Sequence, residues 1–181
     1  MMFVFIGKIK IMTINRKIII HWTGGTYTPN NIDREHYHYL IGYKDGKPFI
    51  EKGLFSIEDN DNCYDGKYAQ HTGGGNTGAI GIAICGMLGY KGKHEIGKYP
   101  FNEAQFDKMC RLVAEVSLKY RIPINKALVM THYEFGLKHT ETSSAGKPDI
   151  SFLPFNPTMK AEKIGNYIRE TAECWFTKLF K

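Results

Sequence analysis

Arg16 to Gly25 reads RKIIIHWTGG, and the rest of the fold can be worked outward from it. Three consecutive isoleucines are β-branched and too few for a helix, so Arg16 to His21 reads as a buried strand. The strand stops at His21 and Trp22 and opens into a loop at Thr23, Gly24 and Gly25. The turn-rich TYTPNN (26–31) follows, and then HYHYLIGYKDGKPFIEKG (36–53), whose two apolar runs flank Asp45-Gly46, the strongest short hairpin signal in the chain. AIGIAICG (79–86) predicts a third strand after the glycine cluster Gly73 to Gly75, and SIEDNDNCYDGK (56–67) between them reads as a polar surface loop.

From Phe101 the period changes. Phe106, Met109, Cys110, Val113, Val116, Ser117 and Tyr120 recur every three or four residues, with Asn102 and Gln105 spaced as a capping box and Pro123 closing the helix. ALVMTH (127–132) predicts another short strand ending in a histidine, and FGLKHTETSSAGKPD (135–149) a loop. After Pro157 a last helix is expected, with Ile164, Ile168, Ala172, Trp175 and Leu179 along one side. Strand, hairpin, strand, helix, strand, helix is the order of a mixed α/β domain. At 181 residues, against about 150 for a typical domain, the chain has room for one. We divide it into an N-terminal extension (1–15), a main domain (16–157) and a C-terminal amphipathic helix (158–181).

Hydrophobic residues at 43% and charged residues at 23% place the chain among ordinary globular proteins. Its 24 basic and 18 acidic residues leave +6, which favours an anionic partner such as nucleic acid, acidic lipid or a wall polymer. The lysines and arginines are dispersed and accompany no nucleic-acid motif, so nucleic acid is not the expected partner. Cys63, Cys85, Cys110 and Cys174 form no CxxC pair and are expected to be free thiols. MMFVFIGKIKIM (1–12) is broken by Lys8 and Lys10 before a signal-peptide core can form, and Met12 is an alternative start. No stretch reaches the roughly 18 apolar residues of a membrane span. The last helix carries Trp175, Phe176 and Phe180 near Lys178 and Lys181, a pattern compatible with an anionic membrane surface, but packing on the sheet is the favoured reading.

Two strands end in a histidine above a loop, His21 and His132, and such positions present side chains rigidly with space above them. Paired histidines there suggest a catalytic metal, which needs a third protein ligand and one open position. Asp149 is well placed, with Glu134, His139 and Glu141 as competitors. HExxH, GxSxG and GxxxxGK[ST] are absent. Glu35 and Glu51 flank the hairpin as a weak candidate for a paired-carboxylate glycosidase. His94 reads as solvated surface, and His36 and His38, flanking Tyr37 on a strand, are expected on the face opposite to it.

In this order IIIHWTGG, HYHYLIGYKDG, QHTGGGNTGAIGIAICG, THYE and GKPD resemble the successive motifs of the zinc-dependent N-acetylmuramoyl-L-alanine amidases, over roughly residues 16–155. That family includes phage lysozyme-type amidases, bacterial recycling amidases and animal peptidoglycan recognition proteins. The resemblance implies a central mixed sheet flanked by helices and one Zn2+ held by His21, His132 and Asp149. It further implies catalytic roles for Tyr37 and Lys147, and a substrate groove containing Trp22, His71 and Asn76. The loop between His21 and Tyr37 is short, which questions the family's usual first helix, and Tyr133 to Gly146 follows no family motif.

These residues suit the reaction the resemblance implies. An unstrained amide needs a strong nucleophile and a stabilised oxyanion, and zinc supplies both while a lysine adds charge. The expectation is a monomeric, wall-lytic amidase of phage endolysin type, made in the cytoplasm and acting on peptidoglycan. A peptidoglycan-binding module without turnover and a cytoplasmic muropeptide-recycling enzyme are the alternatives. With no separate wall-binding domain visible, the +6 itself would draw the protein to an anionic wall.

Overall fold

A computed structural model describes residues 16–180, so the expectations for residues 1–15, including Met12, lie outside the described residues. Five strands, β1 (Lys17–Trp22), β2 (Tyr39–Lys44), β3 (Lys47–Lys52), β4 (Ala79–Ile84) and β5 (Val129–Thr131), form one sheet in the order β3-β2-β4-β1-β5. β1 lies parallel to β4 and β5, β2 parallel to β4, and β3 antiparallel to β2, giving the mixed sheet that the motifs imply. At the β2–β3 turn Asp45 and Gly46 both take positive φ, 51° and 77°, as a two-residue hairpin of this hand requires.

Alternation along the strands separates two unlike faces. Ile18, Ile20, Ile80, Ile82 and Ile84 are fully buried with the apolar sides of two long helices, α2 (Glu103–Tyr120) and α4 (Ala161–Leu179). Each such side chain contributes about 1.5–3 kcal/mol by leaving water, so this face carries most of the stability. The opposite face of β4 presents Ala79, Gly81 and Ala83, with Cys85 just past the strand, all small. These small side chains leave room above the sheet centre, where His21 of β1 projects. A methyl group on Gly81 would lie 2.6 Å from the His71 ring.

α2 starts at the expected box, with Asn102 and Gln105 each capping the other's amide. Gln105 also donates from Nε2 to the carbonyls of Ile41 and Cys85, tying the helix to the middle of β2 and to the residue after β4. The helix ends on Arg121, whose left-handed backbone closes it two residues before Pro123. α4 packs on α2 through Ile164, Ile168 and Ala172, and Trp175 donates to Asp107 at 2.8 Å. All four cysteines are free.

Three local expectations are corrected. The short segment before Tyr37 holds a helix after all, α1 (Asn31–His36), capped by an Asn30–Asp33 box. Tyr37 is its C-cap, so strand alternation does not govern His36 and His38. His36 lines the groove described below, whereas His38 is buried and bonded to Asn60 and the Gly81 amide. The segment after β5 is likewise helical: α3 (His132–Lys138) begins at the histidine itself, capped by Thr131 and Glu134. Finally, the polar loop 56–67 contains a 3-10 turn, Glu58–Asp61, that buries Ile57 and Asn60. Asn60 bonds His38, the backbone of Ala69 and the carbonyl of Asn76, so it organises the path from hairpin to β4.

Candidate metal centre

His21 projects from β1 on the small-residue face, and His132 is the first residue of α3, reached directly from the neighbouring β5. Nδ1 of His21 and Nδ1 of His132 lie 2.9 and 3.0 Å from the same oxygen of Asp149, Oδ2. All three residues are buried, and their ligand atoms lie within 4.8 Å of one another. The competitors are engaged elsewhere: Glu134 pairs with Arg169, and His139 pairs with Glu141 on the exposed loop. Glu51 pairs with Arg34, which removes the paired-carboxylate alternative.

The surrounding hydrogen bonds determine which ring nitrogens carry protons, an assignment made from the network. Ser144 directs its hydroxyl proton to the carbonyl of Gly73 at 2.8 Å, so its oxygen accepts from Nε2 of His132 at 2.9 Å. That leaves the Nδ1 lone pair of His132 facing Asp149. Nε2 of His71 donates toward the Ala79 carbonyl at 3.4 Å, and its Nδ1 accepts from Nε2 of His21 at 3.2 Å, flanked by the Thr72 hydroxyl. His21 therefore also turns a lone pair inward. Two lone pairs and a carboxylate converge on one point, and a bound cation would reconcile them.

Electrostatics agree with that protonation pattern. Burial pulls the His21 imidazole down to about 4, only partly opposed by Asp149, so the ring is neutral at pH 7. His71 is lowered too, by burial first and then by His21 and His38. Asp149 is buried, which works against its charge, and a cation held between it and the two lone pairs would favour the ionised carboxyl. Tyr37 leans on the His21 ring with centroids 5.2 Å apart, and burial followed by the Asp149 charge pushes its phenol up, keeping its proton.

An open groove of about 530 Å³ lies over the triad, lined among others by Trp22, Tyr37, His71, Ser143 and Lys147. Lys147 is exposed at its rim, two residues from Asp149. Trp22 is only 7% exposed and packs on Tyr90 and Phe101, so just its edge reaches the groove. Asn76 is not among the lining residues: its side-chain oxygen accepts from the Thr72 amide at 2.8 Å, bracing the glycine turn beneath His71. His71 supports His21 from behind as well as touching the groove. A side chain on Gly73 would overlap Ser143, so the glycine cluster exists to let this loop close on residues 142–144. Ser144 and Thr72, which orient the two imidazoles, carried no signal in the sequence beyond lying in polar loops.

Comparison with curated proteins finds no match. Among solved structures, the E. coli N-acetylmuramyl-L-alanine amidase AmiD, in complex with anhydro-N-acetylmuramic acid-L-Ala-D-gamma-Glu-L-Lys, matches with a TM-score of 0.49 and 19% identity. The match covers 76% of this chain and 53% of that one, so the chain spans about half the length of that protein. The family model for N-acetylmuramoyl-L-alanine amidase matches residues 12–147, well over half of the chain, ending two residues short of Asp149. The chain belongs to the N-acetylmuramoyl-L-alanine amidase family.

Proposed function

We propose that this chain hydrolyses the amide joining N-acetylmuramic acid to L-alanine in peptidoglycan, as a zinc-dependent, wall-lytic enzyme. The observation that carries the reading is the buried convergence of His21, His132 and Asp149 at the floor of an open groove, within a chain of this family. Two neutral imidazoles and one carboxylate, each imidazole held by a partner at its far nitrogen, are a donor set that suits zinc. When bound, zinc supplies Lewis acidity, which polarises an amide carbonyl and makes water nucleophilic near neutral pH.

The chain's own residues do the rest. The groove seats the glycopeptide with its amide over the triad, and Lys147 on the rim brings a positive charge toward the oxygen that becomes negative as the amide is attacked. Tyr37 retains its proton and so acts as a hydrogen-bond donor at the groove floor rather than as a base. Asp149 supplies the one negative charge of the donor set, and a bound cation would hold it ionised. The surplus of positive charge over the chain, +6, favours approach to an anionic wall.

The test compares wild type with His21→Ala by metal analysis and by turnover of a soluble muramoyl-peptide. Wild type is expected to carry one zinc and release free L-alanine amino groups, and the variant to lose both. Turnover in a zinc-free His21→Ala protein would place the chemistry elsewhere.

A further inference from the structure

α4 lies beyond the residues that match the family model, yet it reaches into the support of the metal site. Arg169, buried at 6% exposure, donates from both terminal nitrogens to the two oxygens of Glu134, each at 2.9 Å, and from Nη1 to the Val129 carbonyl at 2.9 Å. Asn166 accepts a further bond from Nη2 at 2.6 Å. One turn earlier on the same helix Gly165 is buried, and a methyl group there would overlap the Glu134 carboxylate. Glycine inside a helix costs about 1 kcal/mol relative to alanine, so its presence at the contact is a second, independent sign that α4 is shaped to receive Glu134.

What Glu134 does explains the value of holding it. Its carboxylate accepts from the Thr131 amide at 3.0 Å while the Thr131 hydroxyl accepts from the Glu134 amide at 3.1 Å, the reciprocal cap of α3. The first residue inside that cap is His132. The next amide, Tyr133, is one of the free donors of the helix start and donates to the Asp149 carbonyl at 2.6 Å. The start of α3 thus sets two of the three members of the triad.

We propose that Gly165 and Arg169 of α4 are positioning residues: they lock Glu134, and through it the start of α3, so that His132 and Asp149 meet in metal-binding geometry. This rests on the reading that His21, His132 and Asp149 hold zinc. It makes the C-terminal helix a working part of the site rather than an appended element.

Gly165→Ala is the informative variant, because it strengthens the intrinsic helicity of α4 while displacing Glu134. Two properties are measured on the full chain: zinc affinity by competition with a chromogenic chelator, and, in metal-free protein, hydrogen exchange at the Tyr133 amide. Gly165→Ala and Arg169→Lys are expected to weaken zinc at least tenfold and to speed Tyr133 exchange by about the same factor. Ile168→Val, which trims the α2-facing side of the same helix, is expected to change neither. Wild-type values in both Gly165→Ala and Arg169→Lys, or equal losses in Ile168→Val, would overturn the proposal. Failure of wild type to bind zinc would contradict the metal reading instead, and Tyr133 exchange would still decide whether the clamp exists.

Discussion

Acidification should unlock the hairpin end of the sheet through His38. This imidazole is 3% exposed, accepts from the Gly81 amide at Nδ1 (2.9 Å) and donates from Nε2 to Asn60 at 3.1 Å, so it extends the β2–β4 pairing by one side-chain bond. Protonation would set an N–H against the Gly81 N–H and strand a buried amide. Burial lowers the folded imidazole to about 4 against 6.5 for the free side chain, with Asn60 only partly opposing it. The unfolded chain therefore takes up this proton first as pH falls. Stability from this group is complete above pH 6.5, declines as pH drops from 6.5 toward 4, and is lost below that. A gap of 2.5 units at 1.36 kcal/mol each is about 3 kcal/mol, a large fraction of a typical domain's stability. The assay is urea unfolding with a chelator present, at pH 7.5, 5.5 and 4.5, for wild type and His38→Gln. Other buried histidines titrate in both proteins, so the difference isolates His38. The variant is expected to be less stable at pH 7.5, with the gap shrinking by about 2.5 kcal/mol at pH 4.5. A gap that does not change with pH would refute the reasoning.

Three further outcomes are expected. Ser144→Ala, which removes the acceptor for His132 Nε2, should weaken zinc binding about 10–100-fold in a chelator competition with the fold intact; unchanged affinity would deny the orienting bond. Lys147→Ala should keep the metal but lower kcat by about 10²–10³-fold on a soluble muramoyl-peptide, and wild-type kcat would remove its role in charge stabilisation. Gly81→Ala places a methyl 2.6 Å from the His71 ring, so thermal unfolding should show a loss of about 1–3 kcal/mol and zinc affinity should fall as His71 leaves His21; a neutral effect on both would mean the ring has room to move.

The parts of this fold that were legible in the sequence are those where local pattern and tertiary role coincide. RKIIIH and AIGIAI announce buried strands, Asp45-Gly46 a tight hairpin, and Asn102-x-x-Gln105 a helix start, because strand burial, positive φ and capping leave residue-level marks. His21, His132 and Asp149 were legible through motif order, and only the structure removed Glu134, His139 and Glu141 from contention, by showing their partners. The short helices α1 and α3 are not legible, because six or seven residues with boxes at Asn30–Asp33 and Thr131–Glu134 show no clear period, their hold coming from caps and packing. The resemblance implies a groove role for Asn76, yet its side chain braces a glycine turn, a distinction that depends on where the turn points. Ser144 and the Arg169–Glu134 contact join residues 12 and 35 positions apart, respectively, and nothing local marks either.

The central claim is that this chain cuts the muramoyl-alanine amide with a zinc held by His21, His132 and Asp149. The direct measurement digests purified peptidoglycan with the protein, with and without a chelator, and quantifies new L-alanine N-termini and new reducing ends. New L-alanine N-termini that vanish with the chelator and return with added zinc are expected. New reducing ends, or amine release indifferent to zinc removal, would contradict the account.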